Sequence, residues 1–420
     1  MARGGAGVMT SEIAVMNQRG VALAADSAVT LYAGGKIIVR NDQRKLFQVA
    51  DDLPVAMMIF GVADLMGHPW EVLLEHYRKA KQPRPLTNVR DYAAEFTGSL
   101  DHLETLFPEA RQDDEYRRLL VSVFRFVFRL CNYLRDSGAE GTDEDIMQRG
   151  IEMVWQRYLV RDDGTARPDL ACFPPGFAAV VEKDYAAIIE EIIGYSFQAF
   201  TLDKTARERL HEIAVLCVTK DLFLEDVTGL VFAGYGANDP YPSVCSYTAS
   251  AVIKGILKRG LTAENRIDSR VHASIALFAD SEVTYAFLRG IELDLEARMY
   301  ATFHAMGQTL VDQVVSAFTD VDPAQREAIR RQFQTERVPQ YVNRCFDLIG
   351  QYQQDTYIEP ILSVVEVSAR QDLAEMAHDL VNLNIFKKKI MAQKQTVGGA
   401  IDVAVISRDK GFTWFKRQGG

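Results

Sequence analysis

The sequence has few cysteines and no long apolar run. Its five cysteines, spread over 420 residues, include no CxxC pair, which argues against a zinc site and against a disulfide framework. We interpret them as reduced, mostly buried thiols. No apolar run approaches the roughly 20 residues that a membrane-spanning helix needs. Residues 1–9 also lack the apolar centre of a signal peptide. We therefore expect a cytoplasmic protein that makes no membrane contact.

Positive charge and histidine are also scarce. The 47 basic residues are outnumbered by 57 acidic ones, which gives a formal net charge of -10. Nucleic-acid binding depends largely on clustered Lys and Arg, so this balance disfavours it. The short basic run 387–389 is more typical of a solvated surface. The seven histidines show neither HExxH nor Cys-linked spacing, so we expect no metal site.

The residues that are present describe a globular chain that begins with a β-sheet. Hydrophobic residues make up 48% and charged residues 25%, and the length favours two domains or one fold with large insertions. Residues 11–29 form two apolar strands joined by the turn residues 17–20. Segments 36–40 and 45–49 are further strand candidates, and the apolar run 53–60 is typical of a buried strand.

Helical patterns then alternate with a return to strands. The helix candidates before the second sheet region are 63–79, 87–106, 114–134, 143–158, 178–200 and 207–220. Strands are predicted at 228–235, 246–254 and 271–277. A second helical block is predicted at 281–306, 313–318, 323–351 and 371–388, with a β-like segment at 357–367. A hairpin of 401–407 and 412–416 closes the chain. Strands that bracket helices in this way favour an α+β fold over a parallel α/β fold.

Thr10 is the candidate nucleophile. A threonine hydroxyl can attack a carbonyl when a base takes its proton, and the free α-amine of an N-terminal threonine can be that base. Thr10 directly follows Met9. Translation from Met9 with removal of that methionine, or cleavage of a short propeptide, would each expose Thr10. We therefore interpret residues 1–9 as a propeptide or a misassigned start.

Three motifs follow in an order that resembles a known family. Thr10 opens the first strand, Ala24-Ala25-Asp26-Ser27 ends the second, and Arg44-Lys45-Leu46 follows two strands later. This arrangement resembles the proteasome β-subunit family of N-terminal-nucleophile (Ntn) hydrolases. The segment 396–407 (TVGGAIDVAVIS) is also similar to a group of uncharacterised bacterial proteasome-related proteins.

The resemblance implies a fold and a division of the chain. The implied fold is a four-layer αββα Ntn-hydrolase sandwich, in which antiparallel sheets are flanked by helices, with large helical insertions. Its core would comprise residues 10–80, 206–290 and the C-terminal hairpin region 391–420. Residues 81–205 would form a helical insertion, and 291–390 a second helical block.

The resemblance also implies roles for particular residues. Lys45 would lower the cost of forming the Thr10 alkoxide, and Asp26 would hold that lysine charged. Gly61 would supply a backbone N–H to the oxyanion. Ser281 would hydrogen-bond the threonine amine. The family's second acid corresponds here to Lys394, so either Asp280 replaces it or the amine is held less well.

Simpler interpretations exist for the same residues. Thr10 is also compatible with an ordinary first-strand position behind an uncleaved tail. Gly61 would suit a strand-to-helix junction without any chemistry. Ser281 would equally serve as a helix N-cap.

These observations leave three functional hypotheses. The first is a threonine-type hydrolase that cleaves peptide bonds, without metal or organic cofactor, inside a homo-oligomer or ring. An ATP-dependent unfoldase is a candidate partner, and the substrate would be a peptide or protein. The second is a non-peptidase Ntn amidohydrolase, because fold does not fix substrate. A closed pocket beside Thr10 would favour it, and an open groove would favour peptides. The third is a catalytically inactive assembly or sensor subunit.

Overall fold

A computed structural model describes residues 11–33, 36–40, 43–279, 282–390 and 398–417, with backbone only for 29–33 and 36–40. The first strands within these ranges are β1 Ser11–Asn17, β2 Gly20–Asp26, β3 Val29–Ala33, β4 Lys36–Arg40, β5 Leu46–Gln48, β6 Val55–Gly61, β7 Asp64–Leu65 and β8 His68–Pro69. Seven helices of the described chain follow: α1 Trp70–Lys81, α2 Val89–Gly98, α3 Glu109–Asp136, α4 Asp143–Leu159, α5 Phe177–Asp184, α6 Ala186–Ser196 and α7 Lys204–Thr219.

Strands then return before a second group of helices. The next strands are β9 Thr228–Gly234, β10 Ser243–Ile253, β11 Ile256–Arg266 and β12 Ala273–Ala279. The helices after them are α8 Glu282–Arg289, α9 Leu293–Ser316, α10 Pro323–Gln332, α11 Val338–Gln353, α12 Glu359–Val367 and α13 Arg370–Ile390, with π-helical turns at Phe333–Arg337 and Gln354–Ile358. The chain closes with β13 Ile401–Ser407 and β14 Gly411–Lys416.

Two five-stranded antiparallel sheets organise the fold. Sheet I has the order β12-β1-β2-β13-β14, and sheet II has the order β11-β10-β9-β6-β5. The hairpin between β1 and β2 is tight, since Asn17 pairs with Gly20 across two turn residues. The Asn17 side chain accepts a hydrogen bond from the Arg19 amide, 2.8 Å away, which fixes that turn. The α+β class predicted from the sequence is confirmed at this level.

Alternating side chains pack the two sheets together and cover their outer faces. Ala14 and Met16 of β1 face sheet II in a buried cluster between the sheets. Ile13 and Val15 point the other way and pack against α13 and α12. Helices α1 and α2 cover the outer face of sheet II, and Trp70 of α1 lies in a third buried cluster there. The order of packing is therefore helix, sheet, sheet, helix.

The first helical excursion has its own core. Helices α3 to α7 bury Tyr116, Phe124, Tyr158 and Ile213 in one cluster, which reaches sheet II through Ile253 of β10. Helix α3 is amphipathic, and its apolar residues recur at helical spacing along the buried side. This insertion therefore stabilises itself largely through its own apolar contacts.

The second excursion packs far less tightly. We call residues 282–367 the helical arm. Helix α9 runs for 24 residues and buries only Val315. Large apolar side chains of the arm are between 36% and 69% exposed: Phe287, Leu293, Leu295, Tyr300, Phe303, Met306, Leu310, Val314, Phe318, Phe333, Tyr341, Leu348, Tyr352, Tyr357, Val364 and Val367. Such an extended apolar surface is unusual for a soluble monomer.

Two predictions of secondary structure are wrong. The segment 357–367 was predicted to be β-like, but it forms a π-helical turn and then α12. Pro360 suits the first turn of that helix, and Ile361, Leu362 and Val365 pack on sheet I at helical spacing. The segment predicted as helix from residue 63 first forms the short β7–β8 hairpin, so α1 begins only at Trp70.

No helix of the described ranges is long and apolar enough to cross a membrane. The cysteines are mostly buried, as expected: Cys131, Cys217 and Cys245 are buried, whereas Cys345 is exposed.

Candidate active site

Three of the five predicted site residues lie within the described chain. These are Asp26, Lys45 and Gly61. Thr10 and Ser281 lie outside the described residues, as do Asp280 and Lys394.

Asp26 and Lys45 form a buried ion pair. Asp26 is the last residue of β2, and Lys45 directly precedes β5. The Lys45 Nζ lies 2.7 Å from Asp26 Oδ1, and the two residues are 3% and 1% exposed. Removing two charges from water is costly, and only close geometry with further hydrogen bonds compensates for that cost. The end of β2 in sheet I is thus joined to the residue that precedes β5 of sheet II.

Asp26 has further donors besides the lysine. The Ser11 amide donates to its Oδ1 over 3.2 Å, and the Gly398 amide donates to its Oδ2 over 2.9 Å. One carboxylate therefore links the start of β1, the end of β2, the lysine and the residues ahead of β13. The carboxylate therefore contacts the amide of the residue that directly follows Thr10 in the sequence.

Backbone hydrogen bonds hold Lys45 in place. The Ile59 amide of β6 donates to the Lys45 carbonyl over 2.9 Å. The chain between β2 and β5 is fastened at both ends, because Ser27 donates to Ala400 and its own carbonyl accepts from Gln43. Lys45 therefore has a fixed backbone position between the sheets.

Sequence reasoning missed a further acid, Glu12. This residue of β1 is 0% exposed, and its Oε1 lies 3.5 Å from Lys45 Nζ. A sequence signal was present, since Glu12 is the single ionisable residue in the apolar strand SEIAVMN. Glu is almost never fully buried unless it is paired, so a charge in such a strand indicates a nearby cation.

Gly61 lies at a position that only glycine suits. Its φ is +81°, in the left-handed region, and a Cβ there would lie 2.3 Å from the Val227 carbonyl oxygen. The next amide, that of Val62, donates to the same carbonyl over 3.0 Å. Gly61 and Lys45 line the same small depression, together with Gln43 and residues 59–63. The structure therefore brings Gly61 and Lys45 together.

Helices α8 and α13 support the start of β1 from the outer side. The Asn384 amide group of α13 donates to Ser11 Oγ over 2.6 Å, and its Oδ1 accepts from the Thr284 amide of α8 over 3.2 Å. Both Asn384 and Thr284 are fully buried. These bonds join the first turn of α8 to the first residue of β1 through Asn384.

A wide open groove adjoins this site. It has a volume of about 2740 Å³ and is lined by Phe60, by Phe278 and Ala279 of β12, and by residues of both helical excursions. Ala279 is the register partner of Ser11, so the groove begins at the Thr10 end of β1. Its volume exceeds the roughly 300–1,000 Å³ of ordinary small-molecule pockets.

Among the described residues, no group of three or more His, Cys, Asp and Glu side chains could hold a metal ion. In comparisons with known proteins, no family model matches the chain and no curated protein matches it either.

Proposed function

We propose that the chain is a threonine-type Ntn hydrolase that cleaves peptide bonds through an acyl-enzyme on Thr10. One observation carries the proposal: the buried Asp26–Lys45 pair, with the Ser11 amide on the same carboxylate. These are the two side chains that the resemblance assigns to the nucleophile's support. They are brought together from separate strands, at the residue that follows Thr10.

The chemistry follows from these groups. The free α-amine of Thr10 takes the hydroxyl proton as the oxygen attacks the substrate carbonyl. The Lys45 ammonium stabilises the developing alkoxide, and the Gly61 N–H stabilises the oxyanion. The amine then returns the proton to the leaving nitrogen, which completes the acyl-enzyme. Water, activated by the same amine, hydrolyses the ester and restores Thr10.

The packing order also supports the proposal. Helices, sheet II, sheet I and helices follow one another, which is the order of an αββα sandwich. The two helical excursions leave that order intact, because they join at the ends of strands.

The groove favours a polypeptide over a small amide as substrate. The Ser11 N–H points towards β2, where it donates to Asp26, so Ser11 does not hydrogen-bond its register partner on β12. Backbone groups alternate in direction along an antiparallel strand. Ile275 and Leu277 of β12 therefore direct their backbone N–H and C=O groups away from β1. Both residues line the groove, and none of the described strands pairs with that edge. An extended polypeptide can form backbone hydrogen bonds along such a free edge, whereas a small amide is too short to do so.

The helical arm supports self-association. Its exposed apolar side chains, such as Met306, Leu310 and Leu348, are more than half exposed in the single chain. A standard interface buries roughly 800 Å² on each partner, an area that these side chains are numerous enough to supply. The proposed occupant of this surface is a second copy of the chain, within a closed assembly such as a ring that encloses the Thr10 sites.

The test is intact mass and N-terminal sequencing of the protein from its native host, followed by labelling with a peptidyl epoxyketone. This probe closes a ring with a hydroxyl and an amine of the same residue, so it reports an N-terminal threonine. We expect a chain that begins at Thr10 and gains one probe. Thr10→Ala should remove the label, whereas Thr319→Ala, at an exposed threonine of the arm, should keep it.

The opposite result would support the inactive assembly or sensor subunit. A chain that retains Met9 and takes no probe has no free threonine amine, and the hydrolase proposal would then fail. The lysine at position 394, where the resemblance expects an acid, is the observation that motivates this second candidate.

A further inference from the structure

Glu12 is a fully buried carboxylate beside a lysine that already has a closer partner. Lys45 Nζ lies 2.7 Å from Asp26 and 3.5 Å from Glu12. The formal charge of these three side chains is -1 when all are ionised. Burying an ionised carboxylate is costly, and the nearby Lys45 ammonium offsets part of that cost.

The register of sheet I explains how Glu12 reaches the lysine. Glu12 pairs with Ala25, and Ala25 pairs with Asp402 of β13, so the three side chains form one row across the sheet. That row faces sheet II, because Ala25 belongs to the cluster between the sheets. The small Ala25 side chain leaves space for the carboxylates beside it. Glu12 thus approaches Lys45 from β1, whereas Asp26 approaches from the end of β2.

We propose that Glu12 is a positioning residue of the Thr10 site, which shares the Lys45 ammonium with Asp26 and keeps it directed at the start of β1. The inference rests on the proposed function. In a chain that begins at Thr10, the α-ammonium is two residues from the Glu12 carboxylate, which attracts it. Glu12 therefore helps to set the pH at which the Thr10 amine becomes a free base.

The sign of this effect is fixed by electrostatics. A nearby carboxylate favours the protonated form of an amine, so its removal makes the neutral base available at lower pH. Within the described ranges, the charged groups placed near Glu12 include Asp26 from β2, Lys45 ahead of β5 and Asp402 from β13. All three remain in Glu12→Gln, so the variant tests the Glu12 charge alone.

The first experiment measures epoxyketone labelling of the processed protein as a function of pH. In Glu12→Gln the acid limb of the profile should move to lower pH by roughly one unit. Glu12→Asp keeps the charge and should restore the wild-type limb. The matched control is Asp101→Asn, which removes a largely buried carboxylate from the Arg259 pair, outside the groove lining, and should leave the limb in place. A Glu12→Gln profile that overlays the wild type would overturn the proposal.

The second experiment does not depend on hydrolysis. Urea unfolding of Glu12→Gln, Lys45→Met and the double variant forms a thermodynamic cycle. We expect the effects to be non-additive by at least about fivefold in the unfolding equilibrium constant. Additive effects would show that Glu12 does not act on Lys45, and the proposal would fall. A coupled cycle in a protein that takes no probe would instead contradict the proposed function, since the pairing would then exist without serving catalysis.

Discussion

Asp26 is the residue on which the buried charges of the site depend. Asp26→Asn keeps the shape of the side chain but removes the closest partner of the buried Lys45. Leaving a buried charge without its partner typically costs about 3 kcal/mol, a cost that Glu12 would reduce in part. We expect a lower free energy of unfolding in urea and loss of epoxyketone labelling.

The control for this prediction is an exposed ion pair near the same strands. Arg44 and Glu71 approach to 2.7 Å, but their side chains are 43% and 41% exposed. Exposed pairs contribute roughly 0–1 kcal/mol, so Glu71→Gln should change stability little and labelling not at all. An equal decrease in the free energy of unfolding for Asp26→Asn and Glu71→Gln would contradict the prediction that the buried pair contributes more.

Gly61 allows a second residue-scale prediction with an internal control. Gly61 and Gly164 share a φ of +81°, but a Cβ at Gly164 would meet nothing within 4 Å. Gly164→Ala should therefore cost only the left-handed strain, roughly 1–2 kcal/mol. Gly61→Ala must also displace the Val227 carbonyl, so it should lower the free energy of unfolding by clearly more. Similar free energies of unfolding for Gly61→Ala and Gly164→Ala would show that strand β6 shifts enough to accommodate the methyl group.

The sequence revealed the lysine and its aspartate more readily than the glutamate. The resemblance implies that Asp26 holds Lys45 beside Thr10, and the structure places Asp26 and Lys45 in contact. The role of Glu12 is not evident from sequence, because its strand is otherwise apolar and the face that meets Lys45 depends on how sheet I packs on sheet II. Thr10 and Ser281 stay predictions.

At the scale of elements, one contact joins the arm to sheet I in a pH-dependent way. His272, just ahead of β12, contacts the Ser269 carbonyl through Nε2 and Glu366 of α12 through Nδ1. The backbone hydrogen bond to Ser269 and the Glu366 carboxylate raise the pKa of His272 above its ordinary value. Because the folded-state pKa of His272 is raised, the stabilisation from its contact with Glu366 is fully present below the unfolded-state pKa. It is lost as the pH rises through the folded-state pKa.

The prediction is a difference that depends on pH. His272→Gln should destabilise the protein at about pH 5.5 but not at about pH 8.5, because the imidazole is neutral at the higher pH. Urea unfolding of both proteins at the two pH values measures the difference. Since both side chains are exposed, we expect a small effect. A difference that grows with pH would contradict the assignment.

Elements with a clear period were predicted correctly from sequence. Strands β1, β2 and β13 are apolar runs with turn residues at their ends, and their positions agree with prediction. Strand β11 was missed, because ILKRGLTAENR carries charges along an exposed sheet edge and shows no apolar period. The segment 357–367 is rich in Val and Ile, which favour strands. In the structure it is helical, and its apolar side chains pack on sheet I at helical spacing.

At the scale of the whole molecule, the arm predicts an assembly. Leu310 of α9 and Leu348 of α11 are 61% and 67% exposed, so glutamate at either position should leave the monomer folded. In an interface, a buried charge should raise the dissociation constant by roughly tenfold or more. Size-exclusion chromatography with light scattering measures the change.

The matched control lies on the other excursion. Tyr195 of α6 is 69% exposed, yet it lies outside the arm, so Tyr195→Glu should leave the assembly as it is. Monomeric wild-type protein at micromolar concentration would contradict the proposed self-association. The sequence alone did not reveal this surface, because the same apolar pattern describes a buried helix equally well.

The Asp26 carboxylate is completed by residues from both ends of the chain. Its donors come from Ser11 and Lys45, but also from Gly398, and Ser11 itself is held by Asn384. While a ribosome is still adding residues before 398, this carboxylate lacks one of its donors and sheet I lacks β13. A nascent chain therefore cannot complete the site, so a hydrolase built this way would stay inert during its own translation.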